Sequence, residues 1–228
     1  MCMMLLTERL LAAARFVRQG ARTADIGSDH AKLPIFLINS GIAEIALASD
    51  INEGPAERSR KAVQRAGLAD RISVSVRDGL DGIESFEPTD IVIAGMGGEL
   101  ISRIIDDSDY PKRQGIRLIL QPMTKPAYLR EYLYSNGFDI VDEALADEGK
   151  IYQIIVSEYT GVYKTVPDEY LLIGEKNIVH KDPLLIRHID GILASLEKRI
   201  NGLTSSGREA EYEMALSGRI KSIRGVFI

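Results

Sequence analysis

Cysteine is nearly absent: Cys2 is the only one in 228 residues, which excludes an internal disulfide and a thiolate metal cluster. Histidine is scarce as well, and His30, His180 and His188 are scattered along the chain, so no metal centre is expected. Long apolar runs are missing. The stretch at 151–156 is strand-length, far below the roughly 20 residues of a membrane-spanning helix, and no membrane partner is expected. The opening "MCMMLLTERLLAAARFV" has the look of a leader, but Glu8 and Arg9 interrupt it and no basic residue precedes its apolar part. A cytoplasmic protein is the expectation.

Glycines are missing at one telling place. "DIGSDHAKLP" at 25–34 follows a strand-like run, where a nucleotide-binding α/β protein carries its glycine-rich loop, yet it holds one glycine, Gly27. A pyrophosphate-cradling G-x-G-x-x-G turn needs three, for tight turning, close approach and helix packing. An NAD-dependent oxidoreductase is thereby set aside.

What is present is a globular composition, 45% hydrophobic and 27% charged, fit for one domain with an appendage or two small domains. The net charge of −5 gives no general reason to expect a nucleic acid, but the charge is uneven. Residues 1–22 carry Arg9, Arg15, Arg18 and Arg22 against Glu8, four minus one or +3. Lys112, Arg113, Arg117, Lys125 and Arg130 form a second basic group around a predicted strand. Such charges ordinarily solvate a surface; gathered on one face they would hold a polyanion.

Leu5, Leu6, Leu10, Ala13, Ala14 and Val17 lie at helical spacing over 5–17. The chain then alternates: strand 22–26, helix 31–40, strand 45–50, helix 54–66, strand 72–77, helix or loop 80–86, strand 89–95, helix 98–107, strand 116–121, helix 126–136, strand 138–146, strand 150–158. The pattern predicts an α/β fold with a parallel sheet covered on both faces. The last two strands, joined by the short "ADEGK", predict an antiparallel pair at one edge. Beyond "SEYTG" the pattern changes: 163–178 reads as a loop, and 184–203 and 208–224 as two helices of coiled-coil-like spacing broken at "TSSG". The division expected is 1–160 for the catalytic domain and 161–228 for a helical hairpin appendage. A monomer is the favoured assembly, with the oligomeric state left open.

Ligands of an open parallel sheet bind beyond the carboxyl ends of the strands, where the strand order reverses. Four successive ends carry a polar residue or glycine: Asp25 with Gly27, Asp50, Asp78 with Gly79, and the run Ala94, Gly95, Met96, Gly97, Gly98. Asp50 is placed to accept both hydroxyls of a ribose, Asp78 and the Gly79 N–H to read an adenine edge, and the glycine bend to let backbone approach a ligand. Singly, each also reads as a turn residue or helix cap. Together they suit a nucleoside cofactor without phosphates.

In that order "DIGSDHAKLP", "DINEGP", "RDGL", "AGMGG" and "LILQP" resemble the bacterial tRNA (adenine-22-N1)-methyltransferase family, over residues 6 to 161. The resemblance implies a seven-stranded, mostly parallel, Rossmann-like class I methyltransferase sheet with an antiparallel edge strand and a C-terminal coiled-coil domain. It implies S-adenosylmethionine, leaving as S-adenosylhomocysteine, held by Asp25, Gly27, Ser28, His30, Asp50, Ile51, Asn52, Asp78, Gly79, Ala94, Gly95 and Met96, and tRNA as the partner. The family usually has a tyrosine where Lys32 stands and an asparagine where Met123 stands. Other readings on the same scaffold are an enzyme acting on another RNA, a protein or a small molecule, or an RNA-binding module with a decayed cofactor site.

Neutral adenine offers a lone pair at N1, so the reaction asks chiefly for alignment, with a carboxylate or carbonyl near N6 to meet the charge that moves onto the ring. Asp29 is the candidate; it would equally cap the helix starting near Ala31. Adenine N1 lies on the pairing edge, so the base must leave its stack. Lys32, Gln121, Pro122 and Tyr128 are expected along its path, and Arg9, Lys125 and Arg130 on phosphates.

Overall fold

In the segment "DIVIAG" Ile91, Val92 and Ile93 are all fully buried, as a strand covered on both faces requires. Val92 packs into one apolar cluster, and Ile91 and Ile93 into another across the sheet. The computed structural model describes residues 6–227, so Leu5, the expected first residue of the N-terminal helix, and Cys2 lie outside the described residues.

The elements run α1 (Glu8–Ala14), β1 (Ala21–Ile26), α2 (Lys32–Asn39), β2 (Ala43–Asp50), α3 (Glu53–Ala66), β3 (Ile72–Val76), β4 (Asp90–Gly97), α4 (Gly98–Asp106), β5 (Arg117–Thr124), α5 (Pro126–Ser135), β6 (Phe138–Asp147) and β7 (Ile151–Tyr159). The seven strands form one sheet in the order β3-β2-β1-β4-β5-β7-β6. The pairs from β3 to β5 are parallel, and β7 runs antiparallel to both β5 and β6. Residues of α1, α2 and α3 fill the cluster on one face, and those of α4 and α5 the cluster on the other.

The sequence places these strands to within a few residues. Helix α1 ends at Ala14, short of the expected Val17. Strand β5 runs on through Pro122 to Thr124; a proline there lacks only the ladder N–H, and Pro122 still pairs with Met96 across an irregular register.

A clearer correction concerns 163–178. It holds two short helices, α6 (Asp168–Ile173) and α7 (Glu175–Val179), before the hairpin of α8 (Leu185–Ser205) and α9 (Glu211–Gly225). Leu171 of α6 joins the α4/α5 core, and Ile173 joins Leu185, Ile189, Leu196, Leu216 and Ile220 in a third cluster. Between them lies a buried polar junction. Arg130 of α5, 1% exposed, donates from Nε to Glu143 Oε1 at 2.7 Å, from Nη1 to the Leu171 carbonyl at 2.8 Å and from Nη2 to Gln153 Oε1 at 2.7 Å. Glu143 Oε2 accepts the Lys176 N–H at 3.0 Å. Gly174 (φ +90°) closes the turn, and a Cβ there would lie 2.5 Å from Asn177 Nδ2 and 2.6 Å from Glu143 Oε2. Arg130 is therefore no phosphate contact: its guanidinium is spent on a buried ion pair that joins α5, β6 and β7 to α6.

The two basic groups do not share one face. Arg22 and Arg117 stand at the amino ends of β1 and β5, Arg18 is bound to Asp90 at the start of β4 at 2.6 Å, and Arg117 pairs with Glu158 at 2.8 Å. Arg18 and Arg117 thus sit at the amino ends of β4 and β5, whereas Arg9 bonds Gln121 and Lys125 follows Thr124 at the carboxyl end of β5.

Candidate functional site

Strand β1 lies between β2 and β4, so chain connections leave it in opposite directions and a crevice opens between the carboxyl ends of β1 and β4. Register brings the ends together: Ile26 is opposite Ser49 and Ile93, Asp50 opposite Val76, and Ala94 opposite Gln121. Four of the sequence-predicted groups thus surround one crevice edge in the order Asp78, Asp50, Gly27, Ala94.

The turn after β1 is pinned by backbone. Gly27 and Ser28 both donate to the Ser49 carbonyl at 2.8 Å, tying this turn to the end of β2. Gly27 takes φ +74°, a conformation that favours glycine, and the methyl end of the Met96 side chain packs against it, 2.2 Å from where a Cβ would lie. His30 and Ala31 follow with φ +57° and +48°. Two consecutive left-handed residues with a Cβ mark stored strain, a recurrent feature of ligand-binding turns.

Asp25 is buried and receives the Ser28 hydroxyl at 2.6 Å. Burial pushes its carboxyl up to about 6, the Ser28 hydrogen bond opposing and the Asp29 charge assisting. A buried carboxylate with a single hydroxyl partner suits a cationic ammonium. Asp50 accepts the Asn52 N–H at 2.8 Å on one oxygen, and its other oxygen carries no hydrogen bond from the described residues. The Arg77 N–H donates to the Asp50 carbonyl at 3.0 Å, which sets the end of β3 beside it. Ile51 and Asn52 are exposed beyond. Asp78 is exposed, and with Gly79, Leu80, Arg103, Ile104 and Asp107 it lines a cavity of about 410 Å³. These groups could hold an aminoacyl nucleoside, with an ammonium at Asp25, a ribose at Asp50 and a base edge near Asp78.

Asp29 is 66% exposed on its side chain and faces Lys32 Nζ at 3.1 Å and His30 Nε2 at 3.5 Å. It makes no capping bond to α2, whose N-cap is Ala31, so the capping role is not its function. Lys32, where an aromatic residue was the comparison, instead supplies a cation to that carboxylate.

On the far side of the crevice two expectations change. Gln121 and Pro122 are buried and cannot line the path of a base. Gln121 Oε1 accepts Arg9 Nη1 at 2.8 Å and the Gly95 N–H at 3.2 Å. Arg9 is further held by Glu148, whose Oε1 accepts its backbone N–H at 2.8 Å. Glu148 escaped sequence reading because it stands on a hairpin tip 139 residues from Arg9; no local pattern announces such a pair. Lys125, half-exposed at the start of α5, pairs with Glu99 at 2.5 Å, and Tyr128 is exposed one turn on.

A methyltransferase-domain family model matches residues 6–155. The chain is 40% identical over 154 residues to the tRNA (adenine(22)-N(1))-methyltransferase of Bacillus subtilis (strain 168), covering 67% of this chain and 65% of that relative. A solved structure of a Streptococcus pneumoniae putative tRNA (m1A22) methyltransferase in complex with S-adenosyl-L-methionine matches with 32% identity and a TM-score of 0.84, over 96% of this chain and 100% of that one. A further solved structure, M. capricolum TrmK in complex with S-adenosyl-homocysteine, matches with 26% identity and a TM-score of 0.78 over 97% of both chains.

Proposed function

Because this chain belongs to the bacterial tRNA (adenine(22)-N(1))-methyltransferase family, we propose that it transfers the methyl group of S-adenosylmethionine to N1 of adenine 22 in tRNA. The observation that carries this reading is the convergence of Asp25, Gly27, Asp50 and the turn 94–97 on the crevice between β1 and β4.

When bound, the cofactor supplies an electrophilic methyl on sulfur. The rest falls to this chain. Asp25 would hold the aminoacyl ammonium and Asp50 the ribose, with the turns at Gly27 and Gly95 bordering the same crevice. The base enters over the exposed side of Asp29, and its N1 attacks in line. As N1 loses its lone pair, positive charge spreads to N6, and the Asp29 carboxylate faces it from the strained turn. Asp29 then receives an N6 proton, leaving neutral 1-methyladenine. Lys32, whose Nζ lies 3.1 Å from that carboxylate, orients it before the base arrives. Phosphates are held by Lys125, whose pairing with exposed Glu99 is readily exchanged. We place the division between the catalytic domain and its helical extension near residue 161, and the protein in the cytoplasm; no described helix is long and apolar enough to cross a membrane.

The test is transfer of labelled methyl from S-adenosylmethionine to unmodified tRNA, with nucleoside mass spectrometry and fragment mapping. 1-Methyladenosine at position 22 is expected. Its absence across a full tRNA pool overturns the reading.

A further inference from the structure

From the contacts at the end of β4 we infer that Arg9 and Gln121 are positioning residues, which lock the peptide between Ala94 and Gly95 so that the Ala94 carbonyl faces the reacting base. The inference rests on the reading of the crevice as a methyl-transfer site.

Gln121 is 0% exposed on β5, opposite Ala94. Its amide has one possible orientation: Arg9 Nη1 and the Gly95 N–H are donors only, so both must meet Oε1, while Nε2 donates to the Pro122 carbonyl at 3.0 Å. The Gly95 N–H needs this partner, because the ladder slips between Ala94 and Met96 and Gly95 takes φ +82°. A trans, planar peptide then fixes the other side of the bond; no cis peptide occurs among the described residues. With the N–H turned toward β5, the Ala94 carbonyl turns toward β1. There the Gly27 and Ser28 amides are both engaged with Ser49, leaving that carbonyl to the crevice.

An acceptor at this place suits an exocyclic N–H of the base, whose hydrogen bond strengthens as the ring becomes cationic. Arg9 does not resemble a phosphate contact. Its backbone N–H is anchored to Glu148, its Nε lies 3.7 Å from the same carboxylate, and its Nη1 is committed to Gln121, with 22% of the side chain exposed.

Arg9→Ala, Arg9→Lys and Gln121→Leu would be compared with the wild type in three measurements: kcat for methyl transfer at saturating tRNA and cofactor, Kd for S-adenosylhomocysteine by calorimetry, and Kd for tRNA against salt. Arg9→Ala and Gln121→Leu should each lower kcat by about 10- to 100-fold, the scale of an ångström of misplacement, with both Kd values within about threefold and the salt slope unchanged. Arg9→Lys keeps a donor toward Gln121 and should retain most of the rate. The Arg9→Ala/Gln121→Leu pair should be little worse than either alone. Should Gln121→Leu fail to fold, the two Arg9 variants carry the comparison. An unchanged kcat with weaker tRNA binding and a salt slope lower by about one would make Arg9 a phosphate contact and overturn the inference alone. A wild type that transfers nothing to tRNA would defeat the underlying reading and the inference with it.

Discussion

Asp25 and Asp50 close neighbouring strands in different surroundings, one buried against a single hydroxyl and the other half-exposed with an oxygen to spare. For Asp25, whose carboxyl is lifted by burial to about 6, ionisation is what receives a cationic ligand. Affinity for S-adenosylhomocysteine should therefore rise between pH 5 and about 7 and level off above, and Asp25→Asn should flatten the profile; calorimetry across that range checks both. Asp50→Ala should weaken the same ligand by roughly 1–3 kcal/mol, the cost of a lost buried partner. Asp29→Ala should leave that affinity within about threefold and cut turnover by roughly a hundredfold, and equal loss of both would show that Asp29 is misplaced. These carboxylates were legible because a parallel strand must end in a turn, and turn residues stand out against an apolar run. Arg130 was not: in "YLREYL" it reads as one more charge on an amphipathic helix, and its partner Glu143 sits 13 residues away on a strand.

At the level of elements, the start of α4 is set against the junction of β5 and α5. A Cβ on Gly98 would lie 2.4 Å from the Lys125 carbonyl oxygen and 3.1 Å from that of Thr124. Backbone cannot step aside as a side chain would, so Gly98→Ala should cost about 1–3 kcal/mol in urea unfolding and loosen the turn that carries Gly95. Gly54→Ala, whose Cβ would meet only the far end of Arg58 at 3.7 Å in α3, should be neutral or stabilising by up to about 1 kcal/mol. The long elements declared themselves through period: continuous apolar runs for β4 and β5, 3.6-residue spacing for α8. Helices α6 and α7, of 6 and 5 residues, are too short to show a period or to stand alone. Helix α6 forms because Leu171 and Ile173 find cores on either side, and α7 because Ile178 packs on the third cluster, which only the assembled fold provides.

On the scale of the molecule, the sheet and the terminal hairpin meet through charge as well as through apolar packing. His188 of α8 is 6% exposed beside this junction, with no partner for Nε2 among the described residues. Burial, helped by the Arg130 charge, lowers its pKa to about 4. The unfolded chain takes up that proton near 6.5, so stability should fall as pH drops from about 6.5 toward 4, by on the order of 3 kcal/mol from this residue. His188→Gln should remove that part of the slope, as thermal or urea unfolding at pH 7 and 4.5 would show. The Arg130 anchor carries a further consequence for anyone shortening the protein. A fragment stopped at residue 161 keeps all seven strands, yet it strips the Leu171 oxygen from a guanidinium already out of reach of water. A cut before Leu171 is tolerated only after Arg130 and Glu143 have been rewritten for life without the segment that follows.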